Sequence, residues 1–375
     1  YIGTARIPAA LANAGFEVSL LTPRNTLAGH SRFVRRLGLL PDSASPAVWV
    51  LAFEKMVAEA SPRLVLPCDD NSVRLLQALV ISPPPALSPA ARAALGALVR
   101  ESLGDPRFFL TSVDKLLLGP AAEALGVRVP TYAIVSSLQD AEAFAATHGY
   151  PVVLKLGHGA GGQWVRINPD SAALVLSFAE LMSAPTAFLG EPTARRVLVQ
   201  QHVEGNSVLQ SIVAWRGRVL AGYAREKLVS DPPPMGPSTV SRTFHCPEAR
   251  TFAERLSASF GMSGFFGVEF VADRRTGRLY LLEINRRITP GTHVGTLVDV
   301  DLCGALHAAL NDQEWQGRTD LVHGEEHILA HFPQEWLRDP MSRYLRECRV
   351  DLPWDDPELL EAMLAMRKER WELGT

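Results

Sequence analysis

The chain has 375 residues, of which 47% are hydrophobic and 21% charged, and its formal net charge is -3. This composition is typical of a globular protein, and about 150 residues per domain predicts two or three domains. The small net charge gives no argument for binding nucleic acid or an anionic membrane surface. No apolar run has the length of a membrane span, and no secretory signal is visible. The cysteines have no paired spacing, so we expect reduced thiols in a cytoplasmic protein; they are Cys68, Cys246, Cys303 and Cys348.

The first hundred residues alternate between helix-like and strand-like segments. RIPAALANAG and AVWVLAFEKMVAEA predict helices, and FEVSLLTP and RLVLPCDD predict strands. Such alternation is typical of a parallel sheet with helices on its faces. A domain of this kind normally begins with a strand, whereas this chain begins at Tyr1 with a helix-like segment. We therefore expect the first strand to be missing from this sequence.

Asp69 and Asp70 follow the strand predicted at residues 64–66. In open α/β sheets this edge is where ligands bind, which would give the two carboxylates a role towards a substrate. The alternative is that Asp70 caps the following helix, SVRLLQALV. The sequence leaves both interpretations open.

The most informative stretch is GFFGVEFVADRRTGRLYLLEINRR, residues 264–287. It predicts two buried strands joined by a turn, with Glu269 on the first and Glu283 and Asn285 on the second. A buried carboxylate is costly unless it is paired or bound to a metal. Two carboxylates and an amide oxygen form an all-oxygen site that suits Mg²⁺. The alternative is a pair of buried salt bridges to Arg286 and Arg287.

Shared metal ions would require Glu269 and Glu283 to lie on one face of this hairpin. A plain four-residue loop at 274–277 would pair Glu269 with Leu282 and put the carboxylates on opposite faces. We therefore predict a three- or five-residue loop or a β-bulge, with Gly277 at positive φ. The two metals would then lie about 3.5–4 Å apart.

Hydrophobic-Glu-Phe, a hairpin and Leu-Glu-Ile-Asn-x-Arg together resemble the metal-binding hairpin of the ATP-grasp superfamily. That group includes biotin carboxylases, D-alanine–D-alanine ligases and the carbamoyl-phosphate-synthetase-like ligases. The resemblance implies that Glu269, Glu283 and Asn285 hold two Mg²⁺ ions, for which Mn²⁺ can substitute, against ATP. The family usually has Asn-Pro-Arg where this chain has Asn285, Arg286 and Arg287. Arg287 keeps the position of the arginine that meets an acyl-phosphate.

A glycine-rich loop follows the short buried strand that ends at Lys155. Its glycines let the backbone fold closely over a phosphate, although no Walker A sequence is present. With Lys155 before it, the loop resembles the family's phosphate-covering loop; a glycine-rich hairpin tip without function is the alternative. The glycines are Gly157, Gly159, Gly161 and Gly162.

Lys115 is predicted at the start of a helix that Thr111 or Ser112 caps, with Asp114 in its first turn. The family resemblance implies that this lysine reaches the α-phosphate of ATP. A solvated lysine is the alternative. Lys227 resembles a family lysine near the γ-phosphate, at the entry to a Pro- and Gly-rich loop that resembles a lid. An inconsequential surface loop is the alternative there.

The segment RVLVQQHVEG, residues 196–205, resembles the hinge strand that passes the adenine. The resemblance implies that the backbone around Gln201, His202 and Val203 contacts the base. Gln200 replaces the usual acidic residue and can accept a hydrogen bond through its amide oxygen. Ser207 replaces the usual glutamate at the ribose, so Glu204 is an alternative ribose ligand.

The resemblance implies an α/β fold with an N-terminal parallel-sheet domain (residues 1–103) that precedes the two α+β lobes of an ATP-grasp fold (104–196 and 197–310). For the C-terminal extension (311–375), oligomer contact and packing over the lobes both stay open. The implied activity is an ATP-dependent carboxylate-amine ligase that forms an amide through an acyl-phosphate and releases ADP and phosphate. Small-molecule acids and amines, amino acids among them, are the expected partners, and a homodimer is compatible with the sequence. The alternatives are an ATP-binding regulator without turnover and a carboxylate kinase.

Overall fold

The computed structural model describes residues 2–41, 43–159, 162–184, 195–233 and 236–372. Gly161, one of the predicted phosphate-loop glycines, lies outside the described residues. Within those ranges no helix has both the length and the apolar character needed to cross a bilayer. The described chain forms an α/β structure with one parallel and two larger, mostly antiparallel sheets.

The N-terminal segment packs helices around a small parallel sheet. Strands β1 and β2 pair in parallel along their length. Asp69 is the N-cap of α3, because its carboxylate accepts from the backbone N–H of Ser72 at 2.8 Å. The elements are α1 (Ile7–Asn13), β1 (Val18–Pro23), β2 (Val34–Leu40), α2 (Pro46–Ala60), α3 (Asp70–Ile81) and α4 (Pro89–Leu103).

Three sequence expectations for this segment are wrong. Residues 64–66 form no strand: the N–H of Val65 donates to Ser102 Oγ at 2.9 Å instead of to a neighbouring strand. The strand Val34–Leu40 was not expected, because Arg35 and Arg36 interrupt its apolar pattern on an exposed edge. Asp70 does not cap the helix, since Asp69 holds that position.

The next segment forms an antiparallel sheet of order β3-β6-β4-β5, with helices packed against it. Lys155 is the last residue of β4, as expected. The cap of α5 differs from the expectation: the carboxylate of Asp114 accepts from Leu116 N at 2.7 Å, so neither Thr111 nor Ser112 is the cap. The elements are α5 (Lys115–Ala124), β3 (Tyr132–Val135), α6 (Leu138–His148), β4 (Val152–Lys155), β5 (Val165–Asn168), α7 (Ser171–Ser183) and β6 (Val197–Gln201).

The following segment supplies most of the largest sheet. Its strand order, completed by two strands of the tail, is β11-β10-β7-β8-β9-β12-β13. The Pro- and Gly-rich stretch after Lys227 is more regular than expected, because β8 runs through Ser230 and β9 resumes at Ser238. The elements are β7 (Gly205–Trp215), β8 (Arg218–Ser230), β9 (Ser238–Phe244), α8 (Pro247–Ser259), β10 (Gly264–Asp273), β11 (Leu279–Asn285), α9 (Gly291–Val294) and α10 (Leu302–Leu310).

The C-terminal tail joins this sheet. Its first strand pairs antiparallel with β9, with Glu326 opposite Phe244 and Ala330 opposite Val240. The tail therefore extends the sheet of the preceding segment, and the boundary near residue 310 stays a prediction. The elements are β12 (Glu326–Ala330), α11 (Gln334–Arg338), α12 (Tyr344–Glu347), β13 (Arg349–Val350) and α13 (Pro357–Glu372).

A close backbone contact joins the N-terminal segment to the start of β10. Gly104 forms a bridge with Met262, and Asp105 N donates to the carbonyl oxygen of Gly261 at 3.2 Å. Gly104 has φ of +96°, and a Cβ at this position would lie 2.0 Å from that carbonyl oxygen. Only glycine allows the two chains to approach this closely.

We expect Gly104→Ala to lower the free energy of unfolding by roughly 3 kcal/mol or more, because the new methyl group must separate the two chains. Gly324→Ala is the matched control: Gly324 has φ of +83°, but a Cβ there meets nothing within 4 Å. The control should lose only about 1–2 kcal/mol from backbone strain. Urea denaturation measures both values, and equal losses would contradict the close-contact explanation.

Candidate functional site

The hairpin β10–β11 has the register that a shared metal site requires. Glu269 lies directly opposite Glu283, whereas the next residue, Phe270, lies opposite Leu281. Leu282 is therefore the extra residue of a β-bulge, and Gly277 in the turn has φ of +69°. The prediction of a bulge with positive φ at Gly277 is confirmed, and the two carboxylates share one face.

Each of the two carboxylates has a hydrogen-bonding partner from outside the hairpin. Ser207 Oγ on β7 donates to Glu269 Oε1 at 2.9 Å, and Lys115 Nζ lies 3.0 Å from Glu283 Oε2. Burial and the neighbouring charge of Glu283 raise the pKa of Glu269. Burial also acts to raise the pKa of Glu283, but the ammonium groups of Lys115 and Lys155 hold it below its usual value. Glu283 therefore has the lower pKa of this crowded pair.

The two arginines after the hairpin do not pair with these carboxylates. Arg286 is buried, donates to the backbone carbonyl of Leu103 and lies over the Phe266 ring, 5.4 Å from its centroid. Arg287 Nε donates to Asp70 Oδ2 at 2.9 Å. The expected alternative, salt bridges from the glutamates to Arg286 and Arg287, is therefore wrong.

Arg287 connects the hairpin to the N-terminal segment. Its Nη2 donates to Asn285 Oδ1 at 3.2 Å, while its Nε binds Asp70. Asn285 in turn donates through Nδ2 to Glu283 Oε1 at 3.3 Å. Sequence reasoning considered Asp70 as a cap or a substrate ligand and missed this contact. No local signal could have revealed it, because 217 residues separate the partners.

Two lysines, one at the start of α5 and one at the end of β4, complete the charge arrangement. Lys115 and Lys155 are 9% and 6% exposed. Lys115 Nζ also donates to the carbonyl oxygen of Gly159 at 3.1 Å, which ties the glycine-rich loop to the hairpin. Desolvation and the charge of Lys115 together lower the pKa of Lys155 to about 8, against the opposing effects of Glu283 and Glu269.

The glycines of the loop are required by its geometry. Lys115 N donates to Gly157 O at 3.0 Å, and a Cβ on Gly157 would lie 2.5 Å from Asp114 Oδ1. Gly159 and Gly162 have φ of +108° and +77°. These conformations favour glycine, so the backbone of the described part of the loop can come close to an anion.

The predicted hinge lies at the end of β6. Gln200 is buried in a pocket beside Lys115 and Tyr132, and its Oε1 has no hydrogen-bond partner among the described residues. Gln201 N and His202 N donate to the carbonyls of residues 131 and 151, at 2.8 and 3.4 Å. Val203 follows in an extended, half-buried stretch.

Two contacts involve the residues that were predicted to bind the ribose of the nucleotide. The hydroxyl of Ser207 is bound to Glu269, so its contact with a ribose stays a prediction. The alternative ribose ligand, Glu204, lies on the surface and pairs with Arg274 at 2.5 Å.

Lys227 lies on β8, within the sheet and not in a loop. Its Nζ donates to Gly236 O at 3.2 Å, and its positive charge acts to lower the pKa of Glu269. The preceding residue, Glu226, is buried and accepts from Arg242 at 2.6 Å and from Asn206 at 2.5 Å. Sequence reasoning missed this last network, in which a buried carboxylate between two donors stabilises the strands that carry Ser207 and Lys227.

Residues 112–291 match the family model of the ATP-grasp domain. The chain carries an ATP-grasp domain. Its match contains the hairpin, both lysines and the hinge described above. The resemblance stated from the sequence, and the fold class that it implied, are therefore confirmed.

Proteins similar to this chain include carboxylases and a synthetase. Human mitochondrial pyruvate carboxylase is 26% identical over 225 residues, which cover 57% of this chain and 18% of that protein. The biotin carboxylase domain of Hydrogenobacter thermophilus 2-oxoglutarate carboxylase has a TM-score of 0.66 at 16% identity, over 87% of this chain and 71% of that one. N5-carboxyaminoimidazole ribonucleotide synthetase has a TM-score of 0.62 at 17% identity, over 87% of this chain and 78% of that one. The chain thus spans about a fifth of pyruvate carboxylase, and the structural matches show a common fold.

The pKa of Lys155 gives a pH prediction. Below pH 8 the lysine is charged and attracts a phosphate, whereas above pH 8 it is neutral when no ligand is bound. We expect ADP in EDTA to bind about tenfold more weakly at pH 9 than at pH 7, with uptake of a proton at pH 9. Calorimetry in buffers of different ionisation enthalpy measures both quantities. Lys155→Arg, which stays charged, should remove the dependence; an equally steep profile in this variant would assign it to another group.

Proposed function

We propose that this ATP-grasp protein is an ATP-dependent carboxylate-amine ligase that forms a C–N bond. The observation that carries the proposal is the opposition of Glu269 and Glu283 on one face, with Lys115 and Lys155 beside them. Phosphoryl transfer needs charges placed around the phosphates more than covalent help from the protein. The buried cations and carboxylates of the hairpin supply that arrangement.

The donor atoms of the hairpin fit Mg²⁺. Glu269 and Glu283 are adjacent like charges whose mutual repulsion raises the pKa of Glu269, so a divalent cation between them removes an unfavourable contact. Asn285 lies beside Glu283, and its Oδ1, which accepts from Arg287 Nη2, keeps a second lone pair for the metal. When bound, the metal neutralises charge on the ATP phosphates. Mn²⁺ has the same ligand preference and can substitute.

The roles that the proposed ligase needs on the nucleotide side are assigned to residues of this chain. Lys115 and Lys155 hold the phosphates by charge, and the N–H groups of the glycine-rich loop add hydrogen bonds to phosphate oxygens. Gln200 accepts from the amino group of the adenine through its unpartnered Oε1, and the hinge backbone from Gln201 to Val203 contacts the base.

The acceptor side is assigned to Lys227 and Arg287. A substrate carboxylate takes the γ-phosphate of ATP, which gives an acyl-phosphate and ADP. Arg287 binds the developing charge, because its guanidinium is fixed by Asp70 and Asn285. An amine then attacks the acyl carbon, and phosphate leaves. Solved structures of similar fold hold MgADP and bicarbonate, or ADP, and this supports the assignment of a nucleotide to the site.

A carboxylate kinase is the second candidate, and the bond between Ser207 and Glu269 favours a third, a nucleotide-binding regulator with altered ribose binding. Continuous ADP release with a panel of carboxylic acids, with and without amino acids, separates the three. A ligase releases ADP and forms an amide, a kinase releases ADP and accumulates the acyl-phosphate, and a regulator binds ATP without steady ADP release. The last two results would contradict the proposal. The panel also tests the proposed small-molecule partners, and light scattering tests the proposed homodimer.

We expect Glu283→Ala to reduce ATP turnover by about 10³-fold or more while the fold is retained, because it removes a metal ligand and not a core side chain. Steady ADP release measures turnover, and circular dichroism checks the fold. The matched control is Glu326→Ala, which removes an exposed partner of Arg242 on the same sheet. Normal turnover in a folded Glu283→Ala protein would contradict the site assignment.

A further inference from the structure

A second cavity lies away from the hairpin. Its volume is about 300 Å³, and it is enclosed by one face of α1, the 3-10 turn Gly295–Val298 and the loop before α13. None of its lining residues belongs to the nucleotide or metal set. The space is sufficient for a ligand the size of an amino acid.

The cavity contains a buried side chain with an unused hydrogen-bonding atom. His293 is 7% exposed and lines the cavity; its Nε2 lies 2.9 Å from Asp351 Oδ2, whereas its Nδ1 has no partner among the described residues. Burial lowers the pKa of His293, so the ring is neutral at pH 7. The pKa of Asp351 is also lowered, by the bond from His293 against the effect of burial, so this carboxylate only accepts. The proton is therefore on Nε2, and Nδ1 is a bare acceptor.

Two further carboxylates line the same cavity. Asp301 uses Oδ1 to cap α10 at Gly304 N, 2.9 Å away, and makes no ion pair among the described residues. Asp355 accepts from Asn13 Nδ2 at 3.1 Å, and its side chain is 40% exposed. These two carboxylates offer acceptors to one space, beside the buried ring of His293. An ammonium group, which carries three N–H donors on one nitrogen, matches such a set of acceptors.

Arg6 provides the complementary charge. Its Nη1 donates to the backbone carbonyl of Asp351, whereas its Nη2 lies 3.9 Å from Asp355 Oδ1, beyond hydrogen-bond distance. The cavity therefore has one guanidinium beside two carboxylates, and Ala9, Ala10 and Leu297 form its apolar part. A ligand with an ammonium group, a carboxylate and a short apolar body meets all of these groups.

We propose that this cavity is a binding site for a free amino acid, with its ammonium group at Asp301 and Asp355 and its carboxylate at Arg6. The inference is independent of the ligase activity, because the site shares no residue with the hairpin. Binding is measured without nucleotide or metal.

The probes are the standard amino acids, each compared with its N-acetyl and its carboxamide derivative. We expect at least one amino acid to raise the melting temperature and bind in calorimetry, with both derivatives binding about tenfold more weakly or worse, since each lacks one charge. Failure of every amino acid to bind would overturn the proposal. Equal binding of the N-acetyl derivative would overturn the assignment of the ammonium group.

Two isosteric variants locate the site. Asp301→Asn and Asp355→Asn should each weaken binding by about tenfold or more, and asparagine still caps α10 in the first. Asp312→Asn is the matched control: this residue is exposed, lies outside the cavity and has φ of +52°, which asparagine tolerates. Unchanged binding in both cavity variants would overturn the site.

Glu283→Ala distinguishes the two proposals. We expect it to bind the amino acid normally, because Glu283 does not line the cavity. Loss of amino-acid binding in Glu283→Ala would place the ligand at the hairpin and overturn the inference. Absence of ATP turnover in the unmodified protein would contradict the ligase proposal alone.

Discussion

The structure depends on the placement of two like charges opposite each other in a buried hairpin. Directly opposed carboxylates destabilise a sheet, and burial increases the cost. Glu269 and Glu283 are stabilised by groups from other elements: a hydroxyl on β7 and the ammonium groups of Lys115 at the start of α5 and Lys155 at the end of β4 in the neighbouring sheet. The attraction between these carboxylates and the two ammonium groups therefore keeps the hairpin and the neighbouring sheet in the relative position that a phosphate site needs. The glycine-rich loop is held near the hairpin in the same way, because Lys115 also donates to the carbonyl oxygen of Gly159.

The register of this hairpin could be predicted from the sequence because it is a question of parity. Side chains alternate along a strand, so a connection of even length puts Glu269 and Glu283 on opposite faces, and one of odd effective length puts them on the same face. The requirement that both carboxylates reach shared metal ions selected the second case, which the bulge at Leu282 provides, and Gly277 marked the turn residue with positive φ. The position of Lys155 at the end of a buried strand was predictable for a similar reason, since burial and length alone define that strand.

Elements that depend on a distant partner could not be predicted in this way. Residues 64–66 have the composition of a strand, but a strand needs a neighbour, and here the neighbour is the hydroxyl of Ser102. The cap at Asp69 was missed by one residue and the cap at Asp114 by two or three, because several side chains in each stretch can cap and local sequence does not decide among them. The residue types of the proposed site follow from the resemblance, whereas the pairing of Lys115 with Glu283 and of Asp70 with Arg287 was not predicted.

The contact between Asp70 and Arg287 explains why a domain without nucleotide residues borders the acceptor side. The backbone of Ile288 donates to Pro67 O at 3.0 Å, and Arg287 binds Asp70, so two adjacent residues after the hairpin are joined to two residues at the start of α3 and just before it. A guanidinium held by a carboxylate at Nε and an amide oxygen at Nη2 has a fixed plane. An anion that reaches this arginine must share it with Asp70 or displace that carboxylate. The N-terminal segment therefore sets the orientation of Arg287 and, in the proposed reaction, the strength with which this arginine binds the charge of an acyl-phosphate.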